Sequence, residues 1–447
     1  MPSRESRPVV GPVDINTLQR DGRGVGRLGA RTVVVSQAYP GDSVITRVDV
    51  ETKSVFQGRV KRVVASTATR RPSPCAHADW CTGCPYLGVD RDAEIGWKKG
   101  FVEDEARKQG IELPDGWRFE TPTSPYEWRH FAKQIFGLRD GHLVLGSYVQ
   151  GTHVVVDNAR CSVLVPELQV LLERVVAAAR HVEARPDNVG SPGLLHVLAR
   201  ASRVGGQSQL VIATRDPSGA DALAIFEKIV PLDPELVSGW VLIQETPSNN
   251  LLDGRALHVH GFRDLTDTLL DVECRIGPAS FFQANPGCAE TMFLEAVERA
   301  GAGRSALDLY SGVGILAVGL AKRFERVTAV EAVEEAASLI AKNAAKAGVS
   351  VDAVHADVET AVDLLLDRGP FDVVVADPPR KGLGPRGTHV VTRLAPVRLV
   401  LLSCDLSAWG KDARTLADSG YKLAAFSVYD AFPRTAHVEV LSVFERV

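Results

Sequence analysis

Beyond residue 304, short apolar runs alternate with longer amphipathic stretches. The runs fall at 306–309, 327–330, 352–354, 371–376 and 397–402, and a segment of helical period follows each of them. Regular βα alternation of this kind predicts a parallel, doubly wound sheet. Two last strands, at about 421–429 and 437–446 across the Phe432-Pro433 turn, predict an antiparallel finish. Residues 118–270 are mixed, with strands expected at 131–146, 153–156, 195–201 and 209–214 and a helix at 166–179. A further helix is expected over 93–109 and a loop over 70–90. Residues 8–66 carry short valine-rich strands at 9–10, 33–35, 44–48 and 60–64, separated by turn signals such as Asp21-Gly22-Arg23-Gly24. That spacing predicts a small β-barrel. The glycine-rich turn, with Arg23, Arg27 and Arg31 in or beside it, reads as a place where backbone could approach phosphates.

The pattern divides the chain into an N-terminal OB-like barrel over 1–68, a mixed α+β central domain over 69–280 and an α/β domain over 281–447. The length of 447 residues agrees, at about 150 residues per domain. Charge is uneven: residues 1–71 hold 13 Lys and Arg against 6 Asp and Glu, the remainder 38 against 49. A basic head on an acidic body points to a polyanionic partner at one end. The start lacks an apolar h-region and no run is long enough to span a membrane, so a cytoplasmic protein without a membrane partner is expected.

Chemistry enters at the strand ends. Tyr310-Ser311-Gly312-Val313-Gly314-Ile315-Leu316-Ala317 follows a strand, opens a helix and fits G-x-G-x-x-[GA]; Glu331 ends the next strand, where a carboxylate can take ribose hydroxyls. This pattern is shared by NAD, FAD and S-adenosylmethionine sites. Asp377-Pro378-Pro379-Arg380, a stiff acidic loop directly after 373–376, favours S-adenosylmethionine. Arg380 stands where amino-group methyltransferases carry an aromatic residue, which points to a different acceptor atom.

Cys404 ends the run 397–402 and so places a thiol at a strand tip, where ligands of open α/β sheets bind. A thiolate can add to C6 of a pyrimidine and make C5 nucleophilic; a base must then remove the C5 proton. Cys404 and Glu439 supply those two groups. Asp377 is a second candidate to hold the base or the substrate edge, and Arg380 to hold a phosphate.

Seven cysteines occur, and Cys75-x5-Cys81-x2-Cys84 with the distant Cys161 fits a tetrahedral four-thiolate site. Zinc and an iron–sulfur cluster both suit that donor set, with His77 as a decoy ligand.

Together these motifs resemble the RNA 5-methyluridine methyltransferases, the family of bacterial 23S rRNA and tRNA uracil-C5 enzymes, over nearly the whole chain. The resemblance implies a Rossmann-like class I methyltransferase domain at the C-terminus and an RNA-binding TRAM domain in the head. It implies that Cys75, Cys81, Cys84 and Cys161 ligate a [4Fe-4S] cluster, with zinc the alternative. Phe281-Phe282-Gln283-Ala284-Asn285 matches the family's F-x-Q-x-N element, so Gln283, Tyr310, Gly312, Gly314, Glu331 and Asp377 would contact S-adenosylmethionine. Cys404 would be the nucleophile and Glu439 the proton acceptor. The family usually reads Ser-Cys-Asn-Pro-x-Thr around the nucleophile; here the segment is Ser403-Cys404-Asp405-Leu406-Ser407-Ala408. The expected activity is methylation of uridine C5 in structured RNA, rRNA first and tRNA as the alternative, by a monomer. A non-catalytic RNA-binding iron–sulfur protein is the reading from another class.

Overall fold

The computed structural model describes residues 8–78, 80–81, 83–149, 152–187, 192–246, 253–278, 280 and 282–447. Five strands, β1 (Val9–Leu18), β2 (Gly24–Leu28), β3 (Arg31–Ser36), β4 (Asp42–Glu51) and β5 (Val55–Ser66), close into a barrel in the order β1-β2-β3-β5-β4. Only the β3–β5 pair is parallel, which is the OB arrangement. Inward positions alternate along β4, and Val13, Ile15, Val33, Val35, Val44, Val48 and Phe56 fill the interior. The turn expected at Asp21-Gly22-Arg23-Gly24 joins β1 to β2, with Gly22 at φ +82, and strand β2 begins at Gly24. A Cβ at Gly24 would lie 2.4 Å from the Ala38 carbonyl oxygen, and one at Gly26 2.2 Å from that of Asp14. These glycines let barrel backbones approach one another, not a ligand.

Helix α1 (Arg91–Gln109) and strand β6 (Arg118–Glu120) follow. The central part is a seven-stranded sheet of β7 (Phe131–Arg139), β8 (His142–Tyr148), β9 (Val155–Asp157), β10 (Leu194–Ala201), β11 (Ser208–Thr214), β12 (Leu236–Ile243) and β13 (Arg255–Gly261). Helices α2 (Pro166–His181) and α3 (Ala220–Ile229) share one core with it. The single run expected at 131–146 is broken by a two-residue turn at Asp140-Gly141, both at positive φ, so it forms the β7–β8 hairpin. A separate hairpin pairs β14 (Leu265–Leu269) with β15 (Val272–Ile276).

The C-terminal sheet contains β16 (Gly303–Leu309), β17 (Phe324–Glu331), β18 (Asp352–His355), β19 (Val373–Ala376), β20 (Arg398–Ser403), β21 (Tyr421–Tyr429) and β22 (Glu439–Arg446). Its order is β18-β17-β16-β19-β20-β22-β21-β6. The first five of these are parallel, and β22 is antiparallel to both neighbours. Helices α4 (Pro286–Ala300), α5 (Ile315–Ala321) and α6 (Glu334–Lys346) cover one face. The other carries α7 (Val362–Arg368), α8 (Gly384–Leu394), α9 (Leu406–Asp418) and, unexpectedly, α1. Strand order reverses between β16 and β19, so a crevice opens outside their carboxyl ends.

Helix α1 is polar, yet three of its charged residues, Glu94, Lys98 and Glu105, are buried. Lys98, 1% exposed, donates to Asp430 at 2.7 Å and pairs with Glu94 at 2.9 Å; both carboxylates are fully buried. Arg434 donates its backbone N–H to Glu94 at 2.7 Å, and Arg91 pairs with Glu94 and Asp430. Leu18 and Tyr39 of the barrel, Tyr86, Val89, Trp97 and Phe101 form an apolar cluster beside it. Among the described residues, no helix is long and apolar enough to cross a membrane.

Replacing Lys98 by Met leaves two buried carboxylates short of a cation. The expected cost is about 3–5 kcal/mol, read as a lowered urea midpoint.

Candidate active site

Every proposed cofactor and catalytic residue of the C-terminal domain stands at the carboxyl edge of its sheet or in the segment leading into α4. Tyr310 follows β16 at φ +61, and Gly312 and Gly314 turn the chain into α5 at φ +54 and +86. A Cβ at Gly314 would meet Ile340 Cγ2 at 2.9 Å, whereas one at Gly312 would face open space. Helix packing thus requires the second glycine, while the first leaves room above the strand tip. Glu331 ends β17; its carboxylate accepts the Gly312 N–H at 2.9 Å and the Val333 N–H at 2.8 Å. It is held in place by the turn whose ligand it would help bind.

Two buried polar groups here have unmet hydrogen-bonding capacity: the carboxylate of Asp308, inside β16 with Ser311 and the Ala317 N–H nearby, and the Tyr310 hydroxyl. Burial pushes Asp308 up to about 8, with Asp377 among the smaller contributors. Unsatisfied polar groups beside an open glycine turn suit a polar ligand such as the S-adenosylmethionine amino acid. Asp308 was not singled out from the sequence, although an acid inside the apolar Ala306-Leu307-Asp308-Leu309 run is a readable signal. Gln283 lies half-buried two residues before Asn285, the cap of α4. Asn285 accepts the Cys288 N–H at 3.2 Å and donates to the Ala431 carbonyl at 2.7 Å, which ties this segment to the loop ahead of Glu439. Phe281 lies outside the described residues.

Cys404 and Glu439 meet through register. β20 and β22 pair antiparallel with Ser403 opposite Val440, so the next step places Cys404 opposite Glu439. Directly opposed residues on antiparallel strands share a face. Burial pushes the Cys404 thiol up to about 11; Glu439 and Asp377 push the same way and Arg380 opposes them. Burial likewise raises Glu439 to about 8 and Asp377 to about 6. At rest the site is a protonated thiol among crowded carboxyls, with one guanidinium at its edge. Arg380 also donates to His437 Nδ1 at 3.4 Å, and burial followed by Arg380 lowers that imidazole's pKa. Cys288 is a second thiol near Glu439; burial, then Glu439, pushes it up to about 12.

Cys75, Cys84 and Cys161 all have raised pKa values, from burial first. Cys84 also feels Cys161, Cys81 and Cys75, so the four thiols share one neighbourhood. Asn158 lies 3.6 Å from the Cys81 sulfur. The donor set suits a four-thiolate site, but among the described residues no three Cys, His, Asp or Glu side chains are close enough together to hold a metal ion as they stand.

The fold and site define a Rossmann-like methyltransferase preceded by an OB-type barrel. Comparison with known proteins is consistent with this. Residues 271–447 match the family model described as tRNA (Uracil-5-)-methyltransferase. An uncharacterized RNA methyltransferase of Halalkalibacterium halodurans is 28% identical over 99% of both chains. A second, from Bacillus cereus, is 26% identical over 96% of this chain and 95% of its own. The crystal structure of Pyrococcus abyssi tRNA (uracil-54, C5)-methyltransferase, with S-adenosyl-L-homocysteine, superposes with TM-score 0.75. It is 22% identical and covers 96% of this chain and 99% of its own, so it supports the fold alone. The family model over residues 271–447 and the relatives named as RNA methyltransferases support an RNA (uracil-5-)methyltransferase, a transferase with S-adenosylmethionine as donor.

Asp308 gives a stability test. Its folded-state pKa lies above the usual carboxylate value. Its stabilisation is therefore full below about pH 4 and is lost as pH rises toward about 8. Glu439 and Asp377 act in the same sense. In ligand-free protein, Asp308→Asn should flatten the fall of the unfolding free energy, read from urea titrations, over that window by up to about 1.4 kcal/mol per pH unit. An unchanged slope would show that Asp308 is already ionised in the fold.

Proposed function

We propose that this enzyme methylates uridine C5 in structured RNA, with ribosomal RNA the first substrate to test. Transfer RNA is the second reading, favoured by the description of the family model that residues 271–447 match. The observation that carries the catalytic assignment is the strand register that sets Cys404 against Glu439 at the sheet edge.

In this reading the proton of Cys404 passes to a neighbouring carboxylate and Sγ adds to C6 of the uracil, which makes C5 nucleophilic. Bound S-adenosylmethionine would supply an electrophilic methyl group and be left as the neutral thioether S-adenosyl-L-homocysteine. Once C5 carries the methyl, the Glu439 carboxylate removes the C5 proton and the Sγ–C6 bond breaks, which regenerates the thiolate. Glu331, Asp377, Gln283 and the Gly312–Gly314 turn hold the donor. The barrel takes the role of a TRAM domain, and its basic surface contacts phosphates. Cys75, Cys81, Cys84 and Cys161 hold a [4Fe-4S] cluster that shapes the RNA-binding region and takes no part in the chemistry. The enzyme works as a cytoplasmic monomer.

RNA containing 5-fluorouridine has no C5 proton to lose, so it should trap a covalent adduct on wild-type protein and none on Cys404→Ser. Glu439→Gln should accumulate the methylated adduct on ordinary uridine RNA and lose turnover by about 10²–10⁴-fold. Equal behaviour of wild type and Cys404→Ser with 5-fluorouridine RNA would eliminate the nucleophile assignment. Because Glu439 must be ionised to act, kcat/KM should rise with pH through about 8. A brown, iron-containing anaerobic preparation that bleaches in Cys84→Ser supports the cluster; a colourless zinc-loaded one replaces it with zinc.

A further inference from the structure

The segment after Cys404, Asp405-Leu406-Ser407-Ala408, is held from two sides. Asp405 caps α9 by accepting the Ala408 N–H at 2.9 Å. Ser407 Oγ accepts from Arg20 Nη1 at 2.7 Å. Arg20 belongs to the barrel, in the loop between β1 and β2. Its other nitrogen, Nη2, donates to Glu105, a carboxylate of α1 whose side chain is fully buried. The second oxygen of Glu105 accepts from Gln109 at 2.8 Å. Glu105 also lies flat on α9, where a Cβ at Gly410 would come within 2.7 Å of Oε1. The same barrel loop is pinned on its far side, since a Cβ at Gly22 would lie 2.6 Å from Pro85, next to Cys84. One guanidinium therefore joins three parts of the fold at the start of the helix that follows the nucleophile.

We propose that Arg20 is a positioning residue for Cys404, holding the first turn of α9 through Ser407 and Glu105 and so coupling the seating of the barrel on RNA to the placement of the thiol. The loop between the first two strands of an OB barrel is one of those that contact nucleic acid in this architecture, and here the same loop reaches the catalytic helix. This role rests on Cys404 being the nucleophile.

Arg20→Ala leaves Glu105 a buried carboxylate with no guanidinium partner, and the loss in folding would obscure the effect. The double variant Arg20→Ala/Glu105→Gln removes that charge and is the main test, with Ser407→Ala and Arg20→Lys beside it. Single-turnover adduct formation on 5-fluorouridine RNA is measured at saturating RNA, and RNA affinity separately by fluorescence anisotropy. The double variant should bind RNA within about twofold of wild type yet form adduct on the order of 10–100-fold more slowly, the size expected of a misplaced reacting group. Ser407→Ala should be slowed less, and Arg20→Lys, which has no fork to span both partners, should not restore the rate. In RNA-free protein the alkylation rate of Cys404, followed by peptide mass spectrometry with Cys288 as internal reference, should change in the double variant while that of Cys288 does not. Adduct formation at the wild-type rate in the double variant overturns the proposal. So does a defect confined to RNA affinity, which would make Arg20 an RNA contact. Absence of adduct on wild-type protein removes the nucleophile assignment, and with it this role.

Discussion

Three cations and two carboxylates removed from water hold the catalytic end of this molecule in shape. Glu94 and Lys98 come from α1, Asp430 and Arg434 from the loop that delivers Glu439, and Arg91 closes the set. Charges this deeply buried must be matched by their partners or the fold loses several kcal/mol. The loop therefore has one arrangement that satisfies α1, and in that arrangement Glu439 sits across from Cys404. Arg434 extends the lattice, since it also donates to the backbone carbonyl of Val89 at 3.0 Å and that of Tyr86 at 3.3 Å, just beyond Cys84. The cysteine loop, the barrel joint and the proposed base are thus referred to one helix.

The site itself is electrostatically tense. Asp308, Asp377 and Glu439 crowd the crevice, and burial raises all three. The same burial keeps the Cys404 thiol protonated in the ligand-free protein. Arg380 is the guanidinium that works against this, and its loop follows directly from Asp377. A thiol that is unreactive at rest is guarded against adventitious alkylation and oxidation. In the proposed reaction it would become competent only when the local charge balance shifts toward positive, as a bound sulfonium cation would make it.

The C-terminal architecture was legible because a parallel sheet buried on both faces writes itself as continuous apolar runs. The strand at 373–376, the glycine turn at 312–314 and the tips bearing Glu331, Asp377 and Cys404 all follow from that pattern. What escaped the sequence depends on partners distant along the chain. The close backbone approach at Gly24 and Gly26 did not show, because only the closed barrel reveals which carbonyls they must clear. β6 is three residues long and has meaning only as the parallel neighbour of β21. Helix α1 was legible as a helix but not as a core element, since its buried face is charged. Arg20 looked like one more basic residue in a basic head, and nothing local marks it as the partner of Glu105 and Ser407.

The long reach of α1 also sets an order of events during synthesis. Lys98 is separated from Asp430 by 332 positions, and β6 must wait for β21. As the chain leaves the ribosome, the barrel can close early from local hairpins, and the central sheet can follow. The edge of the catalytic sheet cannot be completed until the last strands emerge, because non-local pairing is the slow step in assembling such sheets. Until then the charged face of α1 remains in water and the crevice has no floor. A prematurely terminated chain could carry a finished barrel and still lack the catalytic crevice.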